Sequence, residues 1–307
     1  MTAAVETWPP LKYDDWAPTA QTLQMWTQIV GKIRMAKSPP INHWWHVALY
    51  VTSRGLGTSP ILNGAATFEM EFDFIDHRLR ITTSDGASRE IMLQPMTVAA
   101  FYERVMAALA ELHVSVEINP MPCEVAEPIS FPLDTKHHSY DAAAAARFWR
   151  VLVDTCRVFS RFRSDFLGKV SPIHFFWGGI DLAMTRFSGR EAPLHAPTPG
   201  IPLHVVREAY SHEVSSAGFW PGGAGFDAAF YSYAYPEPEG YGRAHVGPAA
   251  AFYSPDLREF LLPYEAVRTS ASPDDALMEF LQSTYGAAAN LGKWDRDALE
   301  RRLASSS

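Results

Sequence analysis

Apolar residues recur at the spacing of a helix face in several stretches of the chain. Leu23, Trp26 and Ile33 do so within residues 19–35, and this spacing predicts a helix. We expect it to end before Pro39, because proline lacks a hydrogen-bond donor and clashes with the preceding turn. Capping residues followed by the same periodicity predict further helices that begin at Thr97, Ser139 and Ser272. A short terminal helix is predicted at residues 294–303.

Between the predicted helices the pattern changes to that of strands. Residues 68–74 alternate strictly between Phe or Met and Glu or Asp, which is typical of a strand with one buried face. Residues 45–52 are predominantly apolar, as in a strand that is covered on both faces. Further short strands are predicted at residues 78–83, 90–93, 175–185, 205–214, 229–235 and 261–264.

A proline-rich segment separates two groups of predicted elements. Residues 119–136 hold four prolines and show no periodicity, so we expect an extended surface crossing without a regular helix. This divides the chain into an N-terminal half (residues 1–118), a connector (119–138) and a C-terminal half (139–307). We expect the two halves to form one compact domain.

The order helix, strands, helix occurs in both halves, which suggests an internal duplication. At a shift of 132 residues, Trp45 falls on Trp177 and Arg54 falls on Arg186. Chance convergence of strand-like sequence is the alternative. The duplication predicts an α+β domain with pseudo-twofold symmetry and two mainly antiparallel sheets. Helices would cover one face, and a ligand would enter on the other face or along the seam.

Composition and charge narrow the class of protein. The chain has 307 residues, of which 47% are hydrophobic and 20% are charged, so it is long and apolar enough for a sizeable core. The net charge is -8 and the 26 basic residues form no dense run, which argues against a nucleic-acid partner. No apolar run approaches the ~20 residues of a membrane span. With no signal-peptide pattern at the N-terminus, we expect a cytoplasmic protein.

The two cysteines match no metal-binding or redox spacing. Cys123 and Cys156 lie far apart in the sequence, and we expect two free thiols rather than a disulfide. The sequence predicts no metal ligand set, and it leaves any cofactor and the oligomeric state open.

Several long segments resemble a known family. They include SPIHFFWGGIDLAMTRFSGR, REAYSHEVSSAGFWPG and FYSYAYPEP. These segments are similar to a bacterial family catalogued as a domain of unknown function, DUF5996, and the resemblance covers nearly the whole chain. It implies bacterial origin and a single full-length family domain. It implies no reaction, so no catalytic residue is transferred from it.

Two histidines lie close together in the sequence of the first half, before its predicted strands. His43 and His46 are three residues apart, a spacing that suits a metal on a helix. They follow two prolines and enter a predicted strand, where such positions face opposite sides, so a shared metal is disfavoured. His43 and Trp45 are instead candidates for the lining of a pocket. A hydrogen-bonded core histidine is the alternative for His43.

The segment that opens the second half holds three chemically distinct residues. Asp181 would be costly to bury without a partner. One interpretation is an ion pair between strands with an arginine, although Arg186 itself would lie on the opposite face of the strand. The other is a carboxylate that orients His174 for acid–base chemistry. Trp177 is the aromatic candidate beside them.

A polar row is predicted on the strand of residues 205–214. Glu208, Tyr210 and His212 would share one face there, and they offer a general base, a hydroxyl donor and a metal ligand. A hydrogen-bonded polar strip at an interface is the alternative. We predict that these three residues line one cavity together with at least one of His43, His174 and Asp181.

Two loops complete the candidate site. Arg186 and Arg190 flank a glycine and would suit an anionic group, although no phosphate-binding motif accompanies them. Residues 215–223 hold Trp220 among small residues, which is typical of an aromatic lid or of a packed loop.

These patterns favour a protein that binds a small molecule in an aromatic cavity containing histidine, near the seam of the two halves. An enzyme is the alternative. It would be metal-assisted or use acid–base chemistry, with His212 or His174 as base or metal ligand and Glu208 or Asp181 as acidic partner. Arg186 or Arg190 would then hold an anionic substrate. A noncatalytic structural or interaction protein is the third possibility.

Overall fold

The computed structural model describes residues 6–198 and 201–301. Within them the chain forms an α+β fold with seven α-helices and twelve strands. The helices are α1 (Ala17–Lys37), α2 (Val98–Glu111), α3 (Ala142–Ser164), α4 (Leu203–Ala209), α5 (Tyr264–Arg268), α6 (Pro273–Leu291) and α7 (Arg296–Leu299). None of these helices has the length and apolar character needed to cross a lipid bilayer.

The twelve strands form two antiparallel sheets. The first contains β1 (Tyr50–Val51), β2 (Gly55–Gly57), β3 (Ile61–Asn63), β4 (Ala66–Asp73), β5 (Arg78–Thr83) and β6 (Ser88–Met92). Its order is β1-β2-β4-β5-β6, and β3 pairs with β4. The second contains β7 (His174–Phe176), β8 (Asp181–Glu191), β9 (His212–Trp220), β10 (Ala229–Tyr235), β11 (Phe252–Ser254) and β12 (Glu259–Pro263), in the order β11-β12-β10-β9-β8-β7. The predicted fold class, α+β with mainly antiparallel sheets, is confirmed.

The two sheets meet edge to edge at one pair of residues. Leu49 and Phe175 exchange two backbone hydrogen bonds of 2.9 and 2.8 Å, and both side chains are fully buried. This bridge joins the β1 edge of the first sheet to the β7 edge of the second. The seam between the halves therefore runs through the hydrophobic core.

Several elements follow the sequence pattern. Alternation in β4 buries Phe68, Met70 and Phe72 to 1% exposure or less, and β4 pairs with β5 as the predicted hairpin. Thr97 caps α2 by accepting a hydrogen bond from the backbone nitrogen of Ala100. Cys123 and Cys156 are both free thiols, as expected.

Two predicted strands are wrong in large part. Only Tyr50 and Val51 of residues 45–52 are in a strand. A 3-10 segment, Asn42–Val47, precedes them, because His43 and Trp44 take left-handed backbone angles (φ 59° and 62°) that no strand accommodates. Residues 203–209 form α4, and the strand that follows begins only at His212. A helix lets the polar side chains of this segment reach solvent, whereas a central strand would bury half of them.

The proposed register of the duplication does not match equivalent elements. Trp45 lies in the 3-10 segment before β1, whereas Trp177 follows β7. Arg54 lies in the turn between β1 and β2, whereas Arg186 lies within β8. Each half contains six strands and a helix that follows them, α2 in the first half and α6 in the second. The pseudo-twofold symmetry therefore stays a prediction.

The connector contains one short 3-10 segment, Phe131–Leu133, and no α-helix among its described residues. It packs along α1. Gln28 donates to the carbonyl of Cys123 at 2.8 Å and accepts from its backbone nitrogen at 2.9 Å, and Lys32 donates to the carbonyl of Met121 at 2.7 Å. These contacts hold the residues after Cys123 against the seam.

Candidate functional site

The second sheet has one apolar face and one polar face. Helices α3 and α6 pack against the apolar face. Its large hydrophobic side chains are at most 2% exposed: Leu182, Met184, Phe219, Phe230, Phe260 and Leu262. Because side chains alternate along a strand, the residues between them lie on the opposite face. We call this the polar face, and it carries Asp181, Thr185, Ser216, Tyr231, Tyr233 and Glu259.

Small residues in the middle of the polar face let tyrosine side chains lie flat against it. Gly218 of β9 stands between Ala183 of β8 and Tyr231 of β10 in the strand pairing. A Cβ atom at Gly218 would collide with the ring of Tyr231. The ring therefore extends across β9, and its hydroxyl donates a 2.6 Å hydrogen bond to Oδ2 of Asp181.

Asp181 is the central carboxyl of this face. It is partly accessible to solvent yet surrounded by protein, as expected in the wall of a recessed cleft. Burial raises the pKa of Asp181 to about 7; the hydrogen bond from Tyr231 opposes this rise, and the nearby charge of Glu124 adds to it. Asp181 is therefore able to gain or lose a proton near neutral pH.

Glu124 reaches the same place from the connector. Its backbone is left-handed (φ 56°), and its carboxyl lies so close to Gly178 that a Cβ there would collide with Oε1. A Cβ at Gly179 would lie 3.0 Å from Oδ1 of Asp181 and 3.8 Å from Oε2 of Glu124. The two carboxyls thus flank Gly179, and burial raises the pKa of Glu124.

A third carboxyl lies on β12. Burial and the neighbouring Asp181 raise the pKa of Glu259 to about 7. Within residues 6–198 and 201–301, none of Glu124, Asp181 and Glu259 forms an ion pair with a lysine, arginine or histidine. We call these three carboxyls, together with Tyr231 and Tyr233, the acidic cleft.

Tyrosine hydroxyls line the acidic cleft. Tyr233 and Tyr210 share a hydrogen bond of 2.9 Å, and the rings of Tyr231 and Tyr233 stack with centroids 6.2 Å apart. Burial raises the pKa of all three above the ordinary value. They therefore stay neutral phenols at physiological pH and offer O–H donors and aromatic faces.

A cavity of about 400 Å³ opens at the seam beside the cleft. Helix α1 contributes Gln24 and Met25, the connector contributes Glu124, and the end of β9 contributes Trp220. Gly179 lines the cavity as well, so the flanking carboxyls of Asp181 and Glu124 lie at its edge. The predicted ligand-binding residue Trp220 is thus in its wall.

The structure does not bring the predicted polar row together. Glu208 is exposed on α4, and its backbone carbonyl accepts a 3.1 Å hydrogen bond from Nδ1 of His43. His212 lies beside His43, with ring centroids 5.9 Å apart. Tyr210 points instead to Tyr233 in the acidic cleft. The three residues occupy two sites because a helix ends between them.

His174 lies apart from Asp181. Its ring packs against Trp45 and Tyr50, with centroids 5.5 and 5.7 Å away. Burial, reinforced by the charges of Arg34 and Arg163, lowers the pKa of His174 to about 3. Its opposite residue on β8 is Ala183, so Asp181 does not orient this imidazole.

The two candidate anion-binding arginines face away from the cleft. Arg186 lies on the apolar face, 3.5 and 4.3 Å from the ring centres of Phe162 and Tyr285. Arg190 is exposed and pairs with Glu213 at 2.6 Å. Trp177 is buried and donates from Nε1 to the carbonyl of Val47 at 2.8 Å, a contact that holds the seam together.

The sequence interpretation missed most of the acidic cleft. Tyrosine at every second position of residues 231–235 was the signal for Tyr231 and Tyr233, because a solvated strand face seldom carries successive aromatic rings. Glu124 had no local signal, since its role depends on where the connector crosses. Among the described residues, no three His, Cys, Asp or Glu side chains lie close enough to hold a metal ion.

Comparison with known proteins gives one match. Residues 8–301 match the sequence model of a family described as a family of unknown function, DUF5996. Neither the curated proteins nor the solved structures gave a match. The matched region covers both sheets, the connector and the seam cavity. The family description assigns no activity, so the function has to be argued from the geometry.

Proposed function

The chain belongs to the DUF5996 family, and we propose that it binds a small organic cation, an amine or a quaternary ammonium compound, in the acidic cleft. The observation that carries this proposal is the arrangement around Gly179. The carboxyl of the partly buried Asp181 and that of the exposed Glu124 approach the same point there. No described basic side chain neutralises either of them.

The charge balance favours a cation over an anion. Each of the three carboxyls has a raised pKa because its charged form is poorly solvated, and a nearby acid adds to the rise at Asp181 and Glu259. A bound cation would favour the ionised form and remove that penalty. An anionic ligand would add to the repulsion, and Arg186 and Arg190 are not placed to offset it.

The aromatic surfaces suit the same class of ligand. Tyr231 and Tyr233 present neutral rings beside Asp181, and Trp220 lines the adjoining cavity. A cation over an aromatic face gains about 0.5–2 kcal/mol, with more when it is desolvated. The cavity of about 400 Å³ falls within the range of small-molecule sites, roughly 300–1,000 Å³.

Binding of choline tests the proposal. Titration calorimetry on the full chain would use choline and its uncharged isostere 3,3-dimethyl-1-butanol as probes. We expect choline to bind more tightly than the isostere, and Asp181→Asn to weaken choline binding about tenfold or more. Asp256→Asn, in an exposed turn before β12, should bind like the unmodified protein. Equal affinity for both probes, or full choline binding by Asp181→Asn, would reject the proposal.

An acid–base enzyme is the second candidate. Asp181 and Glu259 both have pKa values of about 7, a range in which a carboxyl can donate or accept a proton at physiological pH. In this version the bound cation would be a substrate, and Tyr231 would keep Asp181 in position. Conversion of an amine by the purified protein, lost in Asp181→Asn, would distinguish the enzyme from a binding protein.

Three further expectations stand as proposals beside this one. We infer an ancient duplication from the six strands and closing helix of each half. The bacterial origin rests on the family resemblance, and the cytoplasmic location rests on the sequence pattern. Superposition of the two halves with matched strand order would support the duplication.

A further inference from the structure

A lysine and a histidine lie within hydrogen-bond distance at the opposite end of the second sheet. Nζ of Lys169 lies 2.6 Å from Nε2 of His43. Nδ1 of His43 lies 3.1 Å from the backbone carbonyls of Glu208 and Ala209. Because carbonyl oxygens only accept hydrogen bonds, Nδ1 carries the proton, and Nε2 is left as the acceptor that faces the amine.

The surroundings of this amine are apolar. Nζ of Lys169 lies 5.4 Å from the ring centre of Trp45 and 4.9 Å from that of Phe187. No described carboxylate forms an ion pair with it. Loss of solvation lowers the pKa of Lys169, and burial together with the charge of Lys169 lowers the pKa of His43. Lys169 is nonetheless an exposed residue that a small molecule can reach.

We propose that Lys169 is a nucleophilic amine that forms an imine with an aromatic aldehyde, with His43 as the base that receives its proton. The arrangement of nucleophile, base and orienting group is present in Lys169, His43 and the two carbonyls at the end of α4. The neutral amine nitrogen attacks the carbonyl carbon and the C=O π bond opens, while Nε2 of His43 takes an N–H proton and returns it to the carbonyl oxygen. The resulting carbinolamine then loses water to give the C=N bond.

The aromatic side chains around the amine favour an aromatic aldehyde as its reactant. The rings of Trp45 and Phe187 flank the amine and would pack against an aromatic aldehyde. This site is separate from the acidic cleft, and the inference does not depend on cation binding.

Imine trapping on the full chain tests the inference. The protein is incubated with 4-carboxybenzaldehyde and cyanoborohydride, which reduces the imine to a stable amine. Peptide mass spectrometry then gives the labelling rate of each lysine. The exposed residues Lys12 and Lys293 serve as internal references. We expect Lys169 to react about tenfold faster than both at pH 7, because its lowered pKa leaves more of the amine unprotonated.

Two variants distinguish the role of Lys169 as nucleophile from that of His43 as base. Lys169→Arg should lose the label at this position only. His43→Gln keeps a hydrogen-bond acceptor but cannot take up a proton, and it should slow labelling of Lys169 by about 100-fold without affecting the reference lysines. The rate at Lys169 should also reach its plateau at a lower pH than theirs. Labelling of Lys169 no faster than that of Lys12, or an unchanged rate in a folded His43→Gln variant, would overturn the inference.

Discussion

The hydroxyl of Tyr231 on β10 donates to the carboxyl of Asp181 on β8 at 2.6 Å, across the intervening strand β9. It does so because β9 carries Gly218 at the crossing point, where any side chain would occupy the space of the Tyr231 ring. One glycine thus allows an aromatic side chain from two strands away to hold the central carboxyl of the acidic cleft.

The first prediction concerns this glycine. Gly218→Ala should displace the Tyr231 ring, break its hydrogen bond to Asp181 and weaken binding of choline. Overpacking at a tight contact should also lower the free energy of unfolding by about 1–3 kcal/mol. Urea denaturation and calorimetry measure the two effects. Gly286→Ala is the matched control, because nothing lies within 4 Å of its Cβ position in α6, and alanine there should be neutral or slightly stabilising.

The second prediction concerns the pH dependence of stability. The pKa of Asp181 is about 7 in the folded protein, compared with an ordinary 3.8. Between these values the folded state keeps a proton that the unfolded state has lost, so this group's stabilising contribution is complete below the lower value and is lost as the pH rises towards 7.

Asp181→Asn removes this titration, because asparagine does not ionise. The free energy of unfolding of the variant, relative to the unmodified protein, should therefore rise between pH 4 and pH 7. Glu259, Glu124 and Tyr231 face Asp181 and remain in both proteins. Glu259 loses in the variant the nearby charge that helps raise its pKa, so its contribution changes in the same direction. Urea unfolding curves at several pH values check this, and a constant difference across the range would contradict it.

The sequence predicts those features of the fold and the site that depend on residues close together in the chain. The alternation of residues 68–74 and the cap at Thr97 act within a few positions, so strand and helix follow directly. The alternating tyrosines of β10 form a local pattern, but the sequence does not show which neighbouring strands their side chains contact. Glu124 meets Asp181 only because Gln28 and Lys32 hold the connector along α1. That contact joins segments remote in sequence, and no periodicity encodes it.

The wrong strand at residues 205–214 has a similar cause. Apolar and polar residues alternate there in a way that suits either a strand or a short helix, and only tertiary packing decides between them. The helix closes through a 3.0 Å hydrogen bond from the backbone nitrogen of Tyr210 to the carbonyl of Val206. It then presents the carbonyls of Glu208 and Ala209 to His43.

The third prediction links cation binding to protons. Because the free carboxyls of Asp181 and Glu259 have pKa values of about 7, part of each population is protonated at that pH. A bound cation favours the ionised forms, so binding should release protons and affinity should rise between pH 6 and pH 8. Calorimetry in buffers of different ionisation enthalpy measures the released protons. Affinity that is independent of pH would argue that the cation does not contact these carboxyls.

The fourth prediction separates the structural arginine from the binding site. Arg186 is 3% exposed, lies over the rings of Phe162 and Tyr285, and donates to the carbonyl of Phe162. It faces the helices, on the side of the sheet opposite to the acidic cleft. Its partners are aromatic faces and a backbone carbonyl, so its role is to hold α3 against β8.

Arg186→Ala should therefore remove these cation–π contacts and leave a void, at a cost of about 2–4 kcal/mol in the free energy of unfolding. Choline affinity should stay unchanged at temperatures where the variant is folded. Arg190→Ala is the control, because Arg190 is exposed and its ion pair with Glu213 contributes about 0–1 kcal/mol. Loss of choline affinity in Arg186→Ala without loss of stability would contradict this structural role.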